Sequence, residues 1–161
     1  MKYAQIRNMD ISNGIGISCS IFLQGCTHHC KGCFNKETWD FNCGIEFTQE
    51  KQVEFIELCK KPYIDCISIL GGEPFQQNLK ELELFINELY KVNKPIFIWS
   101  GYTYEQIVHM CPSILNKVKY LIDGKYIEEL KDYKLKLRGS ANQRVIDVQE
   151  TLKQNKIMLY S

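Results

Sequence analysis

The sequence predicts an α/β protein, a single domain over residues 1–161 that folds as an open, partial (β/α) barrel. Three observations lead to this fold class. Short apolar runs alternate with amphipathic helical segments along most of the chain, a pattern typical of a largely parallel sheet. Several of the apolar runs end in glycine-containing turns. The length of 161 residues is below the roughly 200 residues that a closed eight-unit barrel needs.

The first half of the chain supplies two strands and a helix. Alternation over 17–24 predicts a strand that leads into a cysteine-rich loop. Thr48 is the expected N-cap of a helix over 49–60. Three residues are expected on the inner face of that helix: Val53, Ile56 and Cys59. The apolar run 64–70, ended by two glycines, predicts a buried parallel strand.

The second half continues the alternation of helix and strand. The predicted elements are a helix over 78–91, a strand over 96–99, a helix over 103–110 ended by Pro112, a strand over 118–122 and a half-exposed strand over 134–138. Four basic residues near this last segment are expected to form a solvated face, with contact to an acidic partner as the alternative: Lys131, Lys134, Lys136 and Arg138.

The amino-acid composition indicates which classes of protein can be excluded. Hydrophobic residues make up 45% of the chain, charged residues 24%, and the formal net charge is +1. These values are typical of a globular protein and give no reason to expect nucleic-acid binding. No window reaches the roughly 18 apolar residues of a membrane helix, and the first residues lack the apolar core of a signal peptide. A cytoplasmic protein without membrane association is therefore expected.

Three of the eight cysteines form a tight group, Cys26, Cys30 and Cys33, with Cys-x3-Cys-x2-Cys spacing. Three thiolates at one centre leave a coordination position open, unlike the four protein ligands of a closed zinc site. The spacing fits an iron–sulfur cluster with one open iron, although such clusters more usually have four cysteines. The alternative is structural zinc, with a fourth ligand from His28, His29 or Cys43. Both histidines are otherwise expected to be exposed.

The other five cysteines are scattered, mostly among apolar neighbours. Free cysteine packs like a small hydrophobic residue. Metal binding or catalysis explains clustered cysteines in a cytosolic chain better than disulfides do. Buried free thiols are therefore expected at Cys19, Cys43, Cys59, Cys66 and Cys111.

A second motif, Gly71-Gly72-Glu73-Pro74, follows a predicted buried strand. Paired glycines allow a ligand to approach the backbone closely. Exposed carbonyl groups and Glu73 are expected to hold a ligand amino group, while a plain turn is the alternative. Because chemistry collects at the carboxyl ends of parallel strands, four segments are expected on one rim. They are the cysteine loop, 71–74, 99–102 and 123–124.

Together, the cysteine loop and the GGEP segment resemble the radical S-adenosylmethionine superfamily. The resemblance implies that Cys26, Cys30 and Cys33 hold a [4Fe-4S] cluster, with the fourth iron bound by S-adenosylmethionine. Under the same resemblance, those three cysteines are the catalytic residues. The implied S-adenosylmethionine contacts are Gly32, Cys33, Phe34, Gly71, Gly72, Glu73 and Ser100.

A finer resemblance extends over nearly the whole chain. Segments 10–14, 32–39, 99–102, 121–126 and 138–144 are similar to those of the activating proteins of anaerobic (class III) ribonucleotide reductases. The resemblance implies reductive cleavage of S-adenosylmethionine and formation of a glycyl radical on the large subunit of the reductase. It also implies a flavodoxin-like electron donor. The alternatives are an activator of another glycyl radical enzyme and a non-catalytic zinc-binding module.

Two positions depart from the wider superfamily pattern. Gly32 stands where most members have an aromatic residue before the third cysteine, and glycine there is usual in the activating subfamily. Phe34 is therefore the hypothesised cover for the adenine. Ser100 stands where the family often has threonine, which keeps the hydroxyl group.

Overall fold

A computed structural model describes residues 1–160 and contains one seven-stranded sheet with five α-helices. The strands are β1 (Lys2–Asp10), β2 (Ser18–Leu23), β3 (Ile45–Glu46), β4 (Cys66–Gly71), β5 (Ile96–Trp99), β6 (Tyr120–Asp123) and β7 (Arg144–Asp147). The helices are α1 (Gln49–Cys59), α2 (Leu79–Tyr90), α3 (Tyr104–Met110), α4 (Pro112–Leu115) and α5 (Val148–Gln154). The predicted α/β class is confirmed.

The sheet has the strand order β3-β1-β2-β4-β5-β6-β7. Its centre is parallel, as predicted, because β2, β4, β5 and β6 run in the same direction. Its edges are antiparallel: β1 pairs with β2 and β3, and β7 pairs with β6. The carboxyl ends of the four parallel strands therefore meet at one edge of the sheet, where the predicted motifs lie.

Helix α1 begins where predicted, since the Thr48 hydroxyl accepts a hydrogen bond from the Lys51 amide at 3.2 Å. The expected inner face is partly wrong: Gln52, Phe55 and Cys59 are buried, whereas Val53 is 49% exposed. Gln52 can face inward because its side-chain amide donates to the Phe47 carbonyl at 3.1 Å. A buried polar side chain whose hydrogen bond is satisfied cannot be predicted from the spacing of apolar residues.

The predicted strand over 134–138 is wrong. The segment is a series of turns and bends, and Leu137 has a φ of +68°, which interrupts an extended conformation. The Leu137 carbonyl instead accepts a hydrogen bond from Trp99 Nε1 at 2.6 Å. The alternating leucines 135 and 137 thus face a cavity from a loop. The last strand of the sheet is β7, which follows that loop.

The main core lies between the sheet and the helices that cover it. Large buried side chains come from α1, α2 and the central strands, including Phe55, Phe85, Ile69 and Ile98. Pro112, expected to end α3, also occupies the first turn of α4, where its missing N–H is tolerated. Among residues 1–160, no helix is long and apolar enough to cross a membrane.

Candidate functional site

A cavity of about 580 Å³ opens at the carboxyl ends of the parallel strands. Its lining includes part of each of the four segments predicted to share one rim: the cysteine loop, 71–73, 99–101 and Gly124. The volume lies within the range of about 300–1,000 Å³ that is usual for small-molecule sites. The predicted gathering of these segments is confirmed.

The thiols of Cys26, Cys30 and Cys33 are free and half-buried, and all three residues line the cavity. Across the described chain, no three His, Cys, Asp or Glu side chains are already drawn together as a metal-binding group. Burial raises the pKa of the Cys26 and Cys30 thiols, so metal binding there must displace protons. Three free thiols facing one cavity fit an iron–sulfur cluster that keeps a position open for a ligand.

The other proposed zinc ligands lie in different surroundings. The His28 side chain is only 7% exposed and its Nε2 lies 2.8 Å from Glu73 Oε1, so its expected exposure is wrong. His29 is exposed, as expected, and stacks on Trp39 with 4.3 Å between ring centroids. Cys43 is exposed and its thiol donates to Asp40, so its expected burial is wrong. Burial of the other four scattered cysteines is confirmed: Cys19, Cys59, Cys66 and Cys111.

Glu73 is buried at the end of β4, and its carboxylate accepts four hydrogen bonds from the protein. Oε1 accepts from His28 Nε2 at 2.8 Å and from the Gly101 amide at 2.6 Å. Oε2 accepts from the Ser100 hydroxyl at 2.8 Å and from the Phe75 amide at 3.0 Å. A carboxylate has about four lone-pair sites. Glu73 and Ser100 therefore join the strand ends to each other, and both residues also line the cavity.

Two glycines of the site stand where a side chain is disfavoured, one through close packing against backbone and the other through its positive φ. A Cβ at Gly72 would lie 2.5 Å from the carbonyl oxygen of Gly25, the residue before the first cysteine of the loop. Gly32 has a φ of +77°, and a Cβ there would overlap the Glu128 carboxylate. The backbone conformation and the position of Glu128 thus explain why no aromatic side chain occupies position 32.

Phe34 lies on the rim of the cavity and is 61% exposed. Its ring centroid is 5.1 Å from that of Tyr126, which also lines the cavity. An exposed aromatic face beside a cavity is suited to stacking on a planar ligand group.

The loop over 137–143 is held beside the cavity by hydrogen bonds and charge pairs. Gln143 accepts from the Gly139 amide at 2.9 Å and donates to the Gly124 carbonyl at 2.9 Å. Arg144 binds buried Asp123 through Nε at 3.0 Å and Nη2 at 2.6 Å. The two carboxylates that face Arg144, Asp123 and Glu105, raise the pKa of its guanidinium. This part of the site depends on contacts that sequence spacing did not identify.

A further part of the cavity wall, formed by Arg7, Ser12 and Asn13, was also not predicted as a site. Buried Asp10 shapes this wall, since its carboxylate accepts from the Ser12 amide and from Asn13 Nδ2, both at 2.8 Å. The segment Asp-Ile-Ser-Asn-Gly at 10–14 is rich in turn-forming residues, a signal that could have located it.

Replacing Asp10 by asparagine is expected to destabilise the protein at pH 7 by about 1 kcal/mol, with a smaller loss at pH 3. Burial of Asp10 favours the neutral acid, but hydrogen bonds from Asn13, Ser12 and Ser20 outweigh it and hold its pKa below the usual value. A lowered pKa stabilises the fold above the unfolded-state pKa of about 3.9, and this contribution disappears as the pH falls through the folded pKa. Urea unfolding at both pH values measures the difference.

Asp132→Asn is the matched control, because this exposed residue also accepts an amide hydrogen bond within a turn, from Lys134. An equal loss of stability in Asp10→Asn at pH 7 and pH 3 contradicts the electrostatic explanation.

Comparison with known proteins supplies independent information about this site. The chain matches the family model described as a 4Fe-4S single cluster domain over residues 12–146. It is 36% identical over 150 residues to the anaerobic ribonucleoside-triphosphate reductase-activating protein of Salmonella typhi, covering 90% of this chain and 97% of that protein. The protein of that name from Escherichia coli (strain K12) is 35% identical over 150 residues, with the same coverage. The one from Enterobacteria phage T4 is 36% identical over 148 residues, covering 90% of this chain and 93% of that protein.

Proposed function

The chain belongs to the family of anaerobic ribonucleoside-triphosphate reductase-activating proteins, and from this membership we propose that it installs a glycyl radical on an anaerobic ribonucleotide reductase. The observation that carries the proposal is the cavity, where three free cysteines of the loop face the glycine-rich end of β4. A [4Fe-4S] cluster held by these three cysteines and reduced by an external electron donor would supply the electron for reductive cleavage of S-adenosylmethionine, the reaction that would allow a hydrogen atom to be removed from the partner's glycine. The proposed activity is that of an oxidoreductase that activates another enzyme.

Each site residue has a distinct role in this proposal. Cys26, Cys30 and Cys33 would hold the cluster through their thiolates, and three protein ligands would leave room for S-adenosylmethionine to bind it. The backbone of Gly71 and Gly72 lies against the methionine end of the ligand, and Gly32 keeps the loop compact beside it. Glu73 and Ser100 act indirectly, because their polar atoms bind the protein and hold the surrounding strand ends in place.

The proposed fold is a single radical S-adenosylmethionine domain over residues 1–161, built as an open partial barrel. The sheet order supports an open form, since the short strand β3 and strand β7 are its two edges. An open barrel suits a protein substrate, because a glycine-bearing loop of the reductase must reach the cavity. The proposed partner is the large subunit of the anaerobic reductase, and the proposed electron donor is a flavodoxin-like protein.

Anaerobic purification with iron and sulfide analysis tests this function. The protein is then reduced with dithionite in the presence of S-adenosylmethionine, and 5′-deoxyadenosine is measured. The proposal predicts a brown protein that bleaches on reduction and releases 5′-deoxyadenosine. A colourless protein with stoichiometric zinc and no cleavage would support the zinc-module alternative.

Replacing Phe34 by alanine is expected to weaken S-adenosylmethionine binding about tenfold, since stacking of a base on an aromatic ring contributes about 1–3 kcal/mol. Binding to the cluster-loaded protein is measured by equilibrium dialysis. Tyr133→Ala is the control, because Tyr133 is an exposed aromatic residue outside the cavity lining. Unchanged affinity in Phe34→Ala rejects the role of this ring as the adenine cover.

A further inference from the structure

His28 has no assigned part in the proposed reaction, yet it is one of the most constrained side chains of the cysteine loop. It lies between Cys26 and Cys30, and its ring is nearly inaccessible to solvent. Its Nε2 reaches Glu73 at 2.8 Å, and its ring packs edge-on against Tyr102 with 4.7 Å between centroids. Because of these contacts, His28 is not a freely moving histidine of an exposed loop.

The contact with Glu73 connects parts of the chain that are distant in sequence. Glu73 follows β4, and its other partners include the Gly101 amide and the Ser100 hydroxyl, which follow β5. His28 is the residue of the cysteine loop whose side chain joins this group. A second link between the cysteine loop and the segment after β5 lies beside it. Gln76 accepts a hydrogen bond from the Thr27 amide at 2.8 Å and donates one to the Tyr102 hydroxyl at 3.0 Å.

We propose that His28 is a positioning residue, whose hydrogen bond to Glu73 fixes the cysteine loop against the ends of β4 and β5. The effect on catalysis rests on the proposed function, because those strand ends then hold S-adenosylmethionine beside the cluster. A shift of about 1 Å in the relative position of reacting groups can cost about a hundredfold in rate. The role needs only a ring N–H that donates to a buried carboxylate.

The first test measures amide hydrogen exchange in the full-length chain without metal, comparing His28→Leu with His28→Gln. The leucine variant keeps the volume and removes the donor, whereas the glutamine side chain offers an N–H at similar reach. Because hydrogen bonds to charged groups are among the stronger ones, His28→Leu is expected to speed exchange of the Thr27 and Gly101 amides at least about tenfold. His28→Gln should restore most of the protection.

His109→Leu is the matched control, since His109 is exposed on α3 and outside the cavity lining. In His109→Leu, the exchange rates of the Thr27 and Gly101 amides should equal those of the unmodified chain. Protection that is unchanged in His28→Leu overturns the proposal, as does protection that glutamine fails to restore.

Gly101→Ala gives a second route to the same displacement without removing a hydrogen-bonding group. Its Cβ would lie 2.5 Å from His28 Cδ2, so the ring must move away from its present place. Exchange at Thr27 is expected to increase as in His28→Leu. Normal exchange in Gly101→Ala counts against the proposal, because it means that the loop does not depend on the position of the ring.

The second test uses the protein reconstituted with iron and sulfide. His28→Leu is expected to keep its iron content while the KM for S-adenosylmethionine rises about tenfold, with partial recovery in His28→Gln. Loss of iron in step with loss of binding contradicts the proposal, because His28 then acts on cluster assembly. The exchange test needs no cluster, so the positioning role of His28 and the proposed function can fail separately.

Discussion

Replacing Cys26, Cys30 or Cys33 singly by alanine is expected to abolish both the iron–sulfur chromophore and the cleavage of S-adenosylmethionine. A cluster held by three cysteines has no spare protein ligand to compensate for a lost thiolate. The loss of activity should therefore exceed the roughly 10–100-fold that removing a hydrogen-bond partner of a ligand typically costs. Iron and sulfide analysis, visible absorption and release of 5′-deoxyadenosine measure the effect.

Cys43→Ala is the matched control for the three cysteine variants. Cys43 is also a free thiol close to the loop in sequence, but it is exposed and hydrogen-bonded to Asp40 outside the cavity lining. Its iron content and activity should match those of the unmodified chain. Retention of the chromophore in any one of the three loop variants contradicts the assignment of that cysteine.

Replacing Gly72 by alanine is expected to destabilise the protein by about 1–3 kcal/mol, the usual cost of overpacking, and to reduce cluster loading. The added Cβ would lie 2.5 Å from the Gly25 oxygen and 3.0 Å from two further backbone atoms of Gly25. Backbone atoms cannot rotate out of the way, so the cysteine loop must separate from the end of β4. Urea unfolding and iron content after reconstitution measure the two effects.

Gly139→Ala is the comparison for stability, because the three atoms nearest to its Cβ would be aromatic side-chain atoms, at 3.1–3.2 Å. Those rings can shift slightly, so a smaller loss in the free energy of unfolding is expected. Equal losses in the two variants contradict the view that contact between Gly72 and Gly25 controls the position of the loop.

Local patterns predicted the parallel centre of the fold well. The N-cap at Thr48 and the apolar run before Gly71 each mark an element through neighbouring residues alone. Strand β1 was missed because it lies near an edge of the sheet, where most of its residues are only partly buried or exposed and carry a weak apolar signal. The alternating leucines 135 and 137 were mistaken for a strand because both face the cavity from a loop.

Some residues of the site could be predicted from local sequence patterns, whereas others depend on contacts between distant parts of the chain. The spacing of the three cysteines and the GGEP segment are short-range features, and they identified part of the cavity lining, namely the three cysteines, Gly71, Gly72 and Glu73. The contact that buries His28 against Glu73 spans 45 residues of sequence, and two further donors to Glu73, the Ser100 hydroxyl and the Gly101 amide, lie 27–28 residues away. No local pattern records such contacts, so the positioning network became visible only in the folded chain.

Electron paramagnetic resonance of the partner reductase tests the central claim most directly. The reconstituted chain is mixed anaerobically with dithionite, S-adenosylmethionine and the anaerobic ribonucleotide reductase whose glycine residues carry deuterium at Cα. The account predicts a glycyl radical signal on the reductase and deuterium in the released 5′-deoxyadenosine. Cleavage of S-adenosylmethionine with neither a radical on the reductase nor deuterium transfer would contradict it and direct attention to a different glycyl radical enzyme.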